Sequence, residues 1–202
     1  MKLAIDFSIN STAVAIQKDD ESLKLYSFVA NYKKGLRKFK VHDALSNIIS
    51  VIGYEKVSGK EHDEQSLKLL NADSLSNKIL SEIESDEQPS EIRIEGYSFG
   101  SKGNAFIDLI TFNTFLKVKL IQRFGHVIKI IPPKTLKKKF TGNGNASKCE
   151  MLRHFFQKSS PGIQPLQQEI ISLEIMKEEQ EFVIPKPIDD IIDAIALLTF
   201  DS

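Results

Sequence analysis

The sequence predicts an α/β protein built on one mixed sheet, and two observations carry that expectation. Three strand-like runs open the chain with no helical run between them, which suits an antiparallel meander. Helices then alternate with short apolar strands, which suits parallel additions to the same sheet. The length of 202 residues matches a single domain over residues 1–202 with a sizeable core.

The elements follow in order. "KLAIDFS" is a short apolar run, "STAVAIQK" alternates, and the polar "SIN" between them reads as a turn; "LKLYSFVA" makes a third strand. "VHDALSNIISVIG" has helical period and a stop at Gly53, and "YEKVSGKEHDEQ" is polar enough for a loop. "ADSLSNKILSEIES" places Leu75, Ile79 and Ile83 on one helical face. "EIRIEGYS" is a strand bounded by Pro89 and a glycine-rich stretch. A long helix is expected over 105–124, closed by Gly125 and apolar nearly all round. "HVIKII" is a strand, "PPKTLKKKF" starts a helix on proline, "TGNGNA" is a loop and "SKCEMLRHFFQK" a helix. Residues 159–186 are the least legible and suggest a flap; the last helix spans 188–200.

Composition narrows the function classes. With 41% hydrophobic and 27% charged residues, the chain reads as an ordinary soluble protein. It shows no run long enough for a membrane span and no secretory leader, so a cytoplasmic location and no membrane partner are expected. The one cysteine, Cys149, excludes an internal disulfide framework and a cysteine zinc site. The zero net charge hides opposed blocks. Residues 117–153 hold ten Lys or Arg against one acid, a net of +9, whereas 61–95 and 169–202 each carry −7. Such blocks suit an anionic ligand at one surface and carboxylates gathered for another purpose.

The acids carry that second purpose. Asp6 ends "LAID" and Glu95 ends "IRIE", each closing an apolar strand; Asp190 and Asp193 lie in the apolar helix "DDIIDAIALL". Singly, each reads equally well as an element reaching solvent. Together, four separated carboxylates suit hard oxygen ligands for Mg²⁺, with Mn²⁺ as substitute. Two such ions roughly 3.5–4 Å apart can clamp the attacking and leaving oxygens of a phosphodiester. Asp190 and Asp193 are three apart and share a face, and so do Asp189 and Asp193 at four, so spacing alone leaves both pairs open. Capping of the helix start accounts for Asp189 and Asp190, and poorly for Asp193.

Four blocks, "LAIDFSINSTAVAI", "IRIEGYSFGSKGNA", "IIPPKTLKKKFTGNGNASK" and "DDIIDAIALL", stand in the order found in a known family. The chain resembles the RuvC-type Holliday junction resolvases of the ribonuclease H-like superfamily. The resemblance implies a ribonuclease H-like mixed sheet flanked by helices and an endonuclease acting on branched DNA. It makes Asp6, Glu95, Asp190 and Asp193 catalytic ligands of two Mg²⁺ ions and leaves Asp189 as a cap or outer acid. The chain departs from the usual pattern by apparent insertions near 53–73 and 159–186, as in a divergent, phage-encoded member working in the host cytoplasm.

The basic block has its own physics. Lys134, Lys137, Lys138 and Lys139 precede a Gly/Asn loop that opens a helix carrying Lys148, and a helix N-terminus with nearby lysines attracts phosphate. A solvated lysine face is the plainer alternative. The resemblance makes Lys138 and Lys148 DNA contacts near the cut, Lys148 with a catalytic role, and leaves Lys137 able to exchange with Lys138. It also offers Phe99, or Tyr97, as an aromatic that stacks on unpaired bases, though packing explains either equally well. The histidines show no ligand spacing, and Cys149 reads as a packing residue.

Two other readings compete. An actin- or hexokinase-like ATP-binding protein also begins with an acid in a hairpin but needs further glycine-rich phosphate loops and a second similar domain; no nucleotide cofactor is expected here. A catalytically idle nucleic-acid-binding module gains nothing from four clustered carboxylates. A homodimer is expected, because a two-fold junction needs paired nicks, with the 105–124 helix as interface through Phe106, Leu109, Ile110, Phe112, Phe115 and Leu116.

Overall fold

Alternation within the first two strands decides what lies on each face of the sheet. In β1 (Lys2–Asp6), Leu3 and Ile5 join one apolar cluster while Ala4 joins the other; in β2 (Ser11–Gln17), Val14 and Ile16 take the first side and Ala13 and Ala15 the second. By the same period Asp6 belongs to the alanine side. The computed structural model describes residues 1–60, 63–83, 88–97, 103–174 and 182–200. It pairs β1 with β2 antiparallel, Asp6 opposite Ala13, and adds β3 (Leu23–Ala30) antiparallel to β2. On the far side of β1 stand β5 (Glu91–Glu95) and β6 (Ile128–Ile131), both parallel.

The sixth strand corrects the sequence reading. "VHDALSNIISVIG" is not one helix. Its start forms the short helix α1 (Lys40–Ala44), and its end forms β4 (Ile49–Tyr54), parallel to β3 at the sheet edge. Ile48, Ile49, Val51 and Ile52 are β-branched and fit a pleated surface better than a helix. The completed order is β4-β3-β2-β1-β5-β6.

Helices cover both faces. α2 (Glu64–Ser81) and α3 (Asn104–Phe124) bury Leu75, Ile79, Leu116 and Leu120 against Leu3, Ile5, Ile92 and Ile94. α2 starts earlier than the sequence suggested, because Asp63 caps it by accepting from the Ser66 N–H at 2.9 Å. α3 ends as expected at Gly125, whose φ of 76° suits glycine. The other face carries α4 (Pro133–Thr141), α5 (Lys148–Gln157), α6 (Gln164–Ser172) and α7 (Ile188–Leu198). α6 is new relative to the sequence reading. Its Leu166 and Ile170 are buried in the core, so this part of the 159–186 stretch is packed structure and not a flap.

α7 positions the site and is the most buried helix. Ile188, Ile191, Ile192, Ala194, Ile195, Leu197 and Leu198 all lie in the core with Ala4, Ala13 and Ala15 below them. Each large side chain so buried contributes roughly 1.5–3 kcal/mol. Arg93 of β5 secures the helix end: Nη1 donates to the carbonyls of Leu197 at 2.9 Å and Leu198 at 2.8 Å, while Nε and Nη2 donate to Glu91. A cation there also complements the negative end of the helix dipole. Among the described residues, no helix is long and apolar enough to cross a membrane.

Candidate active site

The register of β1 on β5 aligns Ile5 with Ile94, so the next residues, Asp6 and Glu95, end neighbouring parallel strands side by side. Their side chains are in hydrogen-bond contact, which two ionised carboxylates would not tolerate, and both carboxyls are held above their ordinary range, with burial as the chief cause. α7 crosses this strand end and brings Asp190 and Asp193 to the same place. Burial, then the charges of Glu95, Asp193 and Asp190, push the Asp6 carboxyl well above its ordinary range. Burial, then Glu95, Asp189 and Asp190, push Asp193 up to about 7, opposed by Lys137. Glu95 and Asp190 are raised chiefly by burial as well.

These shifts have one physical meaning. The four acids are gathered with less positive charge than they need, and protons make up the difference. A divalent ion is the other way to supply it, and an all-carboxylate donor set suits Mg²⁺ or Mn²⁺. One further oxygen points the same way: Asp189 Oδ1 is buried and has no hydrogen-bond partner among the described residues. The donor set therefore fits a divalent cation in chemistry. Among the described residues, however, no three acid, histidine or cysteine side chains are yet closed around one point.

Lysines surround the acids. Lys148, at the first turn of α5, ion-pairs with the buried Asp189, and Lys186 Nζ bonds Asp190 Oδ1 and lies 3.2 Å from Asp189 Oδ2. Ser11 donates to Asp190 Oδ2 at 2.7 Å. Beside them opens a cleft of about 310 Å³ lined by Phe7, Glu95, Tyr97, Asn113, Lys137 and Asp193 among others. Lys137 donates to the Ala146 carbonyl at 2.8 Å, which ties α4 to the loop before α5. The side-chain oxygen of Asn113 is buried there without a hydrogen-bond partner among the described residues.

A search of solved structures finds this arrangement of strands and helices elsewhere. The chain is similar to Thermus thermophilus RuvC in complex with a Holliday junction substrate, at TM-score 0.51 and 14% identity, over 97% of this chain and 88% of that one. The fold is RuvC-like. A second T. thermophilus RuvC structure matches at TM-score 0.47 and 13% identity over 97% of this chain and 89% of that one. The yeast mitochondrial Holliday junction resolvase matches at 0.46 and 15% over 97% and 75%. No family model matches the sequence, and no curated protein matches it significantly.

Within the RuvC-like fold, the sequence-derived residues divide. Asp6, Glu95, Asp190 and Asp193 stand at one strand end. Of the basic block, Lys137 and Lys148 reach the acids, whereas Lys134, Lys138 and Lys139 are exposed on or beyond the α4 surface. Between the two exchangeable lysines, Lys137 is thus the one beside Glu95 and Asp193. The α5 start is less open to phosphate than its sequence suggested. Ser147 and Glu150 form a reciprocal capping box that occupies two of its backbone donors. Tyr97 lines the cleft edge-on to Phe106, 5.8 Å between ring centroids, with Lys117 over its face; Phe99 lies outside the described residues. Cys149 is buried, its thiol donating to the Phe182 carbonyl, as a packing residue would. Sequence reasoning missed Ser11, Lys186 and the burial of Asp189. The hydroxyl in "INST" and the lysine four residues before Asp190 were the available signals.

Proposed function

We propose that this chain is a metal-dependent endonuclease that cuts branched DNA, with Holliday junctions as its principal substrate. The carrying observation is the gathering of Asp6, Glu95, Asp190 and Asp193, from three separate elements, at one strand end of a RuvC-like fold. Asp6, Glu95, Asp190 and Asp193 would hold Mg²⁺ ions, two per site, with Mn²⁺ as substitute. Bound ions supply an activated water and offset charge on the departing 3′ oxygen. The chain's own contribution is to hold the carboxylates at fixed separation on buried elements and to offer Lys137 and Lys148 to the phosphate beside them. Lys134, Lys138 and Lys139 extend that positive surface along the backbone of an arm.

A homodimer with both sites facing one junction completes the reading. α3 supports it through residues other than those expected: Phe112 and Leu116 lie in the core and Leu109 and Phe115 pack against it, yet Ile107, Val118 and Ile121 remain exposed, with Ile107 beside Leu69 of α2.

The test is cleavage of matched four-way, three-way, flap and linear DNAs in Mg²⁺. Wild type is expected to cut the four-way junction by paired symmetric nicks, while Asp193→Asn binds it and does not cut. No cleavage of any branched DNA in Mg²⁺ or Mn²⁺, or wild-type cutting by Asp193→Asn, would overturn the reading.

A further inference from the structure

Asp189 and Asp190 are neighbours in sequence, and each is only 4% exposed. Two adjacent buried carboxylates require compensation. Asp189 has Lys148, whose ammonium bonds its Oδ2. Asp190 has Lys186, which bonds its Oδ1 and also lies 3.2 Å from Asp189 Oδ2. The second oxygen of Asp190 accepts from Ser11 Oγ at 2.7 Å. Both oxygens of a candidate cation ligand are therefore engaged by the chain itself, one of them by a positive charge.

Lys186 is built to leave. Its side chain is 45% exposed while those of Asp189 and Asp190 are 3% and 6% exposed, so the ammonium reaches inward from the solvent side. A long flexible stem can swing outward without disturbing the helix. We propose that Lys186 is a resident counter-ion, standing where one divalent cation binds, and that its ammonium is displaced from Asp190 when that cation enters. The proposal rests on the metal-dependent reading above and gives the site a stable metal-free state. Its cost is weaker metal binding, because the ion must compete with a tethered charge. The plainer alternative is a structural ion pair that merely anchors the entry to α7; its removal would destabilise the protein and leave metal affinity unchanged or weakened.

Mn²⁺ binding to the full chain without DNA, followed by the electron paramagnetic resonance of free Mn²⁺ and by calorimetry, separates these. Lys186→Met and Lys186→Gln are expected to bind Mn²⁺ about ten-fold more tightly than wild type at low ionic strength. Lys186→Arg, which keeps the charge, should bind no more tightly than wild type. In EDTA the two neutral variants should unfold at lower temperature than wild type, and saturating Mn²⁺ should raise their midpoints by more. Should Mn²⁺ bind wild type, be lost in Asp193→Asn, and bind Lys186→Met and Lys186→Gln no more tightly, the counter-ion role alone is overturned. If Mn²⁺ binds neither wild type nor any Lys186 variant, the metal reading itself falls and takes this role with it.

Discussion

Replacing Asp193 by Asn should stabilise the metal-free protein at pH 8 and have little effect at pH 4. In the fold its carboxyl titrates near 7, against an ordinary 3.8, with burial as the chief cause and Glu95 next. The folded state thus holds a proton that the unfolded chain has already released, so stability falls as pH rises from about 4 to about 7 and is flat beyond. That interval would amount to about 4 kcal/mol were all of it assigned to Asp193. Two effects reduce it. Asp193 shares its penalty with Glu95 and Asp6, whose own shifts relax when one acid is removed, and its side chain is partly open to the cleft. A gain of about 2 kcal/mol for Asp193→Asn at pH 8 is the expected result. Urea unfolding of both proteins in EDTA at pH 4, 6 and 8 measures it, with the gap widening across the series. A gap that does not grow with pH, or an Asn variant less stable at pH 8, would refute the electrostatic reasoning. Adding Mg²⁺ should reverse the order, because wild type then gains a ligand for the ion.

Three other outcomes can be checked directly. Arg93→Met removes the donor to the carbonyls of Leu197 and Leu198 and leaves Glu91 with Lys129 at 2.9 Å, and should cost about 2–3 kcal/mol in urea unfolding. Lys137→Ala should weaken junction binding and flatten its salt dependence by about 0.9 in the log–log slope, more than Lys138→Ala does, by fluorescence anisotropy across a salt series. Ile107→Glu together with Val118→Glu should give a monomer by light scattering, with cleavage reduced to unpaired nicks.

The parts of the fold that were legible in sequence are those whose local preference agrees with their final environment. β1, β2 and β3 alternate or run apolar, α3 ends on a glycine, and α4 begins on a proline, so pattern and structure coincide. β4 was hidden because a five-residue helix and a strand were fused into one apparent period; only the density of β-branched residues after Asn47 marked the change. α6 was hidden because Pro165 reads as a breaker, though proline suits a first turn and Leu166 and Ile170 keep helical spacing. At the site, an acid closing an apolar strand is visible in one dimension, as with Asp6 and Glu95. The choice between Lys137 and Lys138 and the pairing of Lys148 with Asp189 depend on how α4, α5 and α7 dock. No local pattern encodes that.

The alanines beneath α7 act as a spacer for the chemistry above them. Ala4, Ala13 and Ala15 touch no substrate, yet they set how closely the helix settles on the sheet, and Asp190 and Asp193 ride on that helix while Asp6 rides on the sheet. A bulkier residue at any of the three would lift one pair of carboxylates from the other by a fraction of its own girth. Catalytic geometry held to within about half an ångström does not survive such a lift. The proposed cleavage would therefore be lost through positions that bear no functional group, in a protein still folded and still able to bind branched DNA.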